Sequence, residues 1–294
     1  RPTRRCAGTA TGASSSRQRQ MCIRDSAKAV QAYVASWGGR DASAVVSRSK
    51  SLDARRLLEQ RNCLACHDRD GTKGLSRFAA SIAKADESLS GLHMTLIPPR
   101  LNAVGDRMRD DALAEAIVGA PKSPRLNWLR VRMPRFQHTD AEKKELVSYL
   151  ISHDRVPPLP VGQQQTAVIP SKTTGEGTEP DPQTLLAGRE LLGGKGFTCV
   201  ACHAVKDYTP KVTALGTRGS NLHLLGQRMR PEYYYRWTRA PLRIMPGVEM
   251  PNYQRPHPTI LAGKLDEQLT AIWHALNDPN LTSPTNPAVV EQLL

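Results

Sequence analysis

With 294 residues, of which 39% are hydrophobic, the chain is long enough to close a core in each of two domains. No run of 18 or more apolar residues occurs, so no membrane-spanning helix is predicted. The formal charge of +14 invites a nucleic-acid partner, but its distribution excludes one: residues 1–50 carry 10 Lys/Arg against 2 Asp/Glu, whereas residues 51–156 carry 18 against 14 and residues 181–279 carry 12 against 8.

The basic, Ser/Arg/Gly-rich leader over 1–50 lacks apolar periodicity and is predicted to be disordered. Residues 14–26, S-S-S-R-Q-R-Q-M-C-I-R-D-S, resemble a translated sequencing adapter. On that reading Cys22 belongs to no fold, and the natural N-terminus with any signal peptide lies outside this chain.

Next, S-L-D-A-R-R-L-L-E-Q-R-N predicts a short amphipathic helix with Leu52, Leu57 and Leu58 inward. It runs into C-L-A-C-H at 63–67, and the same C-x-A-C-H frame returns 136 positions later as C-V-A-C-H at 199–203. A zinc site at either pair would need further ligands, and the remaining cysteines, Cys6 and Cys22, are single and near the N-terminus; pooling both C-x-x-C pairs around one zinc would supply four. A redox dithiol wants a strand before the motif, where these stretches look helical. Neither alternative explains a histidine directly after both pairs. Covalent haem does: two thiols add across the porphyrin vinyl groups, and the adjacent histidine is delivered to one face of the iron. Cys63, Cys66, Cys199 and Cys202 are then anchors, with His67 and His203 as proximal ligands.

A matched block follows each motif. L-N-A-V-G-D-R-M-R at 101–109 and L-H-L-L-G-Q-R-M-R at 222–230 share Leu, Gly, Arg, Met and Arg, and each leads into a helical segment. Arg107 and Arg228 are candidates for pairing with haem propionates. Met108 and Met229, each between two arginines, are assigned to a polar turn. Both halves then present V-x-M-P-x-aromatic, V-R-M-P-R-F at 131–136 and V-E-M-P-N-Y at 248–253. A thioether is a soft, neutral sixth ligand, and the proline stiffens its loop, which nominates Met133 and Met250 as distal ligands. Met245 also precedes a proline, but only Met250 matches the first half.

Amphipathic helices close both halves. The first opens with Thr139 and Glu142 in capping-box positions and aligns Leu146, Val147, Leu150 and Ile151; the second aligns Leu265, Leu269, Ile272, Trp273 and Leu276. Between the halves, proline-rich residues 157–180 read as a linker, and Pro182 falls in the first turn of the next helix. Residues 280–294 form a tail that breaks off without a stop signal, so the chain is expected to be a piece of a larger fusion, for instance to an extracytoplasmic dehydrogenase.

Helix, C-x-x-C-H, loop, helix, M-P loop and terminal helix together resemble the class I cytochromes c, present twice in tandem over 51–156 and 181–279. The resemblance implies an all-α fold of two small helical domains, each around one covalent haem c, with first and last helices crossing near Ala54 and Tyr149 and near Gly188 and Trp273. It implies that the Pro99 carbonyl orients His67; Ser220 stands where the second half should carry that proline. It further implies a dihaem electron carrier of the periplasm or another extracytoplasmic compartment, with a dehydrogenase, an oxidase or another cytochrome as redox partner. A dihaem enzyme of the peroxidase or thiosulfate-oxidising type, with chemistry at the second haem, is the alternative.

Overall fold

The computed structural model describes residues 52–87, 96–119, 132–157, 180–211, 213 and 218–282. The expected leader, the linker between residues 157 and 180 and the tail beyond residue 282 lie outside the described residues. All the elements below belong to the unit Asp53–Leu294, apart from the first residue of the first helix.

The architecture is all-α. Among the described residues there is no named strand, only isolated bridges. The first half contains α1 (52–60), α2 (Cys63–Cys66), a 3-10 turn Leu75–Phe78, α3 (Ala79–Ala85), α4 (Val104–Arg107), α5 (Asp110–Ile117) and α6 (Asp140–Asp154). The second contains α7 (Pro182–Leu192), a 3-10 turn Cys199–Ala201, a 3-10 turn Leu222–Leu224 leading into α8 (Leu225–Arg228), α9 (Pro231–Arg239), α10 (Pro241–Ile244), a 3-10 turn Ile260–Gly263 and α11 (Leu265–Asn277).

Capping sets the boundaries. Thr139 and Glu142 form the expected capping box, the Thr139 hydroxyl accepting from the Glu142 amide at 3.2 Å while Glu142 accepts from the Thr139 amide at 2.9 Å. Asp181 caps α7 by accepting from the Thr184 amide, with Pro182 at the first helical position where its missing N–H costs nothing. Leu57 and Leu58 of α1 are buried as expected. Leu52 is 60% exposed, contrary to expectation, because it stands at the helix start, ahead of the turn that meets the core.

Two apolar clusters form, one per half. Ala54, Leu57, Leu58, Val104, Leu113, Leu146, Tyr149 and Leu150 make the first, so Ala54 and Tyr149 do share one core. The second is larger, built on Leu191, Leu192, Tyr234, Leu269, Ile272, Trp273 and Leu276. Each buried large side chain of this kind contributes roughly 1.5–3 kcal/mol. Helices α7 and α11 cross with backbones almost touching: a Cβ on Gly188 would lie 2.1 Å from the Ala271 carbonyl oxygen. The crossing partners are therefore Ala271 and Ala275, while Trp273 turns towards Tyr234, with ring centroids 5.2 Å apart.

The matched blocks meet each other. The Arg109 amide donates to the Arg228 carbonyl at 2.9 Å and the Arg230 amide to the Arg107 carbonyl at 3.0 Å, an antiparallel bridge centred on Met108 and Met229. These two methionines pack against their own cores rather than on a polar turn. Across the junction, buried Asp106 accepts from Arg230 at 3.0 Å, from Arg236 and from the Val156 amide at 3.2 Å.

Candidate functional site

The two C-x-x-C-H segments are built to one backbone plan. The residue before each first cysteine is left-handed, Asn62 at φ 57° and Thr198 at φ 57°, a strained conformation for a β-branched threonine. The amide of each histidine then donates to the carbonyl of its first cysteine, at 3.0 Å for both His67 to Cys63 and His203 to Cys199. Two residues on, Arg69 exchanges both backbone hydrogen bonds with Thr72, and Val205 does so with Tyr208 at the same offset. Leu101 donates to Asp68 and Leu222 to Ala204, each at 2.9 Å, which brings the matched block back over the histidine.

That return segment holds the imidazoles. His67 Nδ1 donates to the Pro99 carbonyl oxygen at 2.7 Å, and His203 Nδ1 donates to the Ser220 carbonyl oxygen at 2.8 Å. A carbonyl has no proton to give, so the hydrogen sits on Nδ1 and Nε2 keeps its lone pair. The serine departure in the second half does not matter to this contact, because the acceptor is main chain and any residue offers it. Burial pulls both histidines below their ordinary value, favouring the neutral form that ligates a metal. The ring of His203 lies against bare backbone: a Cβ on Gly219 would come within 2.2 Å of its Cε1.

None of the four motif cysteines is in a disulfide; Cys66 and Cys202 are exposed, Cys63 and Cys199 half-buried. Burial pushes the Cys63 thiol up and the Cys199 thiol up to about 12. Among the described residues no three His, Cys, Asp or Glu side chains gather as an ion site. A porphyrin held by two thioethers, one imidazole and one methionine would need no such cluster, and the buried imidazoles with Nδ1 bonded to a carbonyl suit its histidine position.

The methionine loops differ. Met250 is half-buried, and its Sδ accepts from Trp237 Nε1 at 2.9 Å. Tyr253, three residues later, donates from its amide to the Thr238 carbonyl at 3.0 Å and from its hydroxyl to the Phe197 carbonyl at 2.9 Å. The M-P-N-Y loop is thus tied both to α9 and to the approach to Cys199. Met245 caps the end of α10, its amide donating to the Pro241 carbonyl at 2.8 Å. Met133 is also half-buried, but the aromatic that follows it, Phe136, is 41% exposed and has no hydroxyl. Its loop rests on Gly119, where a Cβ would lie 2.3 Å from the Pro134 carbonyl oxygen.

Several supports were not foreseen. Arg69, 2% exposed, pairs through both terminal nitrogens with Asp154 at the end of α6, at 2.8 and 3.2 Å, and also donates to the Leu101 carbonyl at 2.7 Å. Asp154 in turn accepts from the Gly105 amide at 3.0 Å. In the second half the Asn221 side chain does related work, bonding the Lys206 amide and carbonyl. The shared block glycine has a packing reason: a Cβ on Gly105 would strike the Leu150 carbonyl and one on Gly226 the Asn277 side chain. Its recurrence between the halves was the legible signal for that approach. Arg228, half-buried, is pushed below its ordinary value by burial, and Arg107 lies beside Tyr233. His153 stacks on Tyr149 at 5.4 Å.

Comparison with known proteins gives no match to any family model, any curated protein or any solved structure.

Proposed function

We propose that the chain is a dihaem c-type cytochrome that carries electrons between extracytoplasmic redox proteins. What supports this most is one arrangement present twice: a C-x-x-C-H turn whose histidine gives Nδ1–H to a backbone carbonyl and keeps Nε2 for a metal. Cys63 and Cys66 anchor one haem, Cys199 and Cys202 the other. His67 with Met133, and His203 with Met250, fill the axial positions. Each haem supplies a one-electron couple when bound. The chain contributes anchorage, axial donors and an apolar surround, and it leaves no open position for a substrate. Its partners are a dehydrogenase, an oxidase or another cytochrome, and the periplasm or cell surface is where thioether attachment is completed. Among the described residues no helix is long and apolar enough to cross a membrane.

The test is a reduced-plus-CO difference spectrum at neutral pH. With both axial positions filled, neither haem takes up carbon monoxide readily. Stoichiometric uptake at one haem, together with turnover of peroxide or thiosulfate, would move the function to a dihaem enzyme.

A further inference from the structure

Met250 is held by more than its own loop. The indole of Trp237 donates to its sulfur at 2.9 Å, and that indole is itself fixed, stacked on buried Tyr233 at 5.8 Å between centroids and 16° between planes. The same helix, α9, accepts the Tyr253 amide through Thr238. Sulfur and loop backbone are therefore referenced to one rigid element, and the Tyr253 hydroxyl carries that reference to Phe197, two residues before Cys199. A thioether sulfur has two lone pairs. The indole takes one and leaves the other for a metal.

Among the described residues the first half shows no equivalent. Carrying the matched block forward places Ala116 where Trp237 stands, and V-x-M-P-x-aromatic places Phe136 where Tyr253 stands. Neither side chain can donate a hydrogen bond. We propose that Trp237 is a positioning residue for the second axial methionine: it selects Met250 over Met245 and, by drawing electron density from the sulfur, makes the second haem the more easily reduced of the two. This rests on the dihaem reading above. Hydrogen bonds to axial ligands are among the means by which a protein sets a haem potential, and a donor on the ligand sulfur weakens its donation to the oxidised iron. Electrons therefore collect in the second half.

The experiment is a spectroelectrochemical titration of the haem-loaded full chain, with and without Trp237→Phe, after a pyridine haemochrome count on each. The wild type shows two separated potentials. In the variant the higher one falls, shifting the exchange equilibrium between the haems roughly five- to tenfold; tenfold corresponds to about 59 mV for one electron. Met250→Ala, and not Met245→Ala, removes half of the near-infrared thioether-to-iron band. An unchanged gap in a variant that still carries two haems overturns the proposal, as does loss of the band in Met245→Ala instead. A wild type with no covalent haem fails the dihaem reading itself, a separate outcome. Should the variant not fold, hydrogen exchange at the Trp237 indole in the wild-type holoprotein decides: slow exchange supports the contact, and exchange at the rate of a free indole overturns it.

Discussion

The two halves hold their histidines by the same backbone bonds and surround them by different means. In the first, the segment after the motif is fixed by a buried ion pair, Arg69 with Asp154, with the Arg69 guanidinium 5.5 Å from the Tyr149 ring centroid. In the second, neutral groups do this work: Asn221 bonds Lys206, and Gln268, fully buried, bonds the His257 amide and carbonyl and the Ile260 carbonyl. One of its ion pairs, Arg189 with Asp278, is open to solvent on the arginine side. Aromatics divide the same way, eight in residues 181–279 against four in 51–156, and in the second half they join the methionine loop to the core. The turn that leaves Nε2 unbonded is thus tightly constrained, whereas the packing behind it is free to be charged or apolar.

The largest effect is expected where the difference is electrostatic. Asp154→Ala strips the buried Arg69 guanidinium of its two Asp154 hydrogen bonds, leaving it Asp70 at 3.2 Å, and should cost about 3 kcal/mol in the first half. Denaturant unfolding followed at each half separately should show that loss for 51–156 alone; an equal loss in both would mean that the halves melt as one. Gly219→Ala attacks what the halves share, forcing a Cβ against His203, and should cost about 1–3 kcal/mol. Its second readout is the ligand field of one histidine, seen in the haem spectrum of the second half, with the first unchanged. Tyr253→Phe removes one hydrogen bond from the second methionine loop, about 1 kcal/mol, and makes it resemble the Phe136 loop. Denaturant unfolding should report that loss in the second half, with the first half unchanged.

The smallest expected effect is on pH. The Glu142 carboxyl is held at about 2 by Arg61 first and by the Thr139 backbone next, well below its ordinary 4.5. A depressed carboxylate contributes fully above pH 4.5 and loses that contribution as pH falls towards 2. The stability difference between wild type and Glu142→Gln should therefore close over that window, and high salt should shrink it because the pair is exposed.

Much of the fold was legible because its signals are local. The capping box, Pro182, the apolar stripes of α6 and α11 and the turn chemistry of both motifs depend on neighbours three or four residues away. What was not legible depends on partners far along the chain. Nothing adjacent to Arg69 announces Asp154, 85 residues on, or tells Asp106 that it will face Arg230 and Arg236. Trp237 reads locally as one more aromatic on a helix, and only the fold shows its indole meeting Met250. Ser220 taught the converse: a substituted side chain is harmless where the contact is made by main chain.

That each C-x-x-C-H turn holds a covalent haem is a proposal about stoichiometry, two per chain. It is tested most directly by expressing the full chain with c-type maturation and recording the pyridine haemochrome spectrum after acid-acetone extraction. Two non-extractable c-type haems per chain, falling to one in Cys63→Ala/Cys66→Ala and to one in Cys199→Ala/Cys202→Ala, are the expected result. Extractable haem, no haem, or bound zinc in its place would contradict the account.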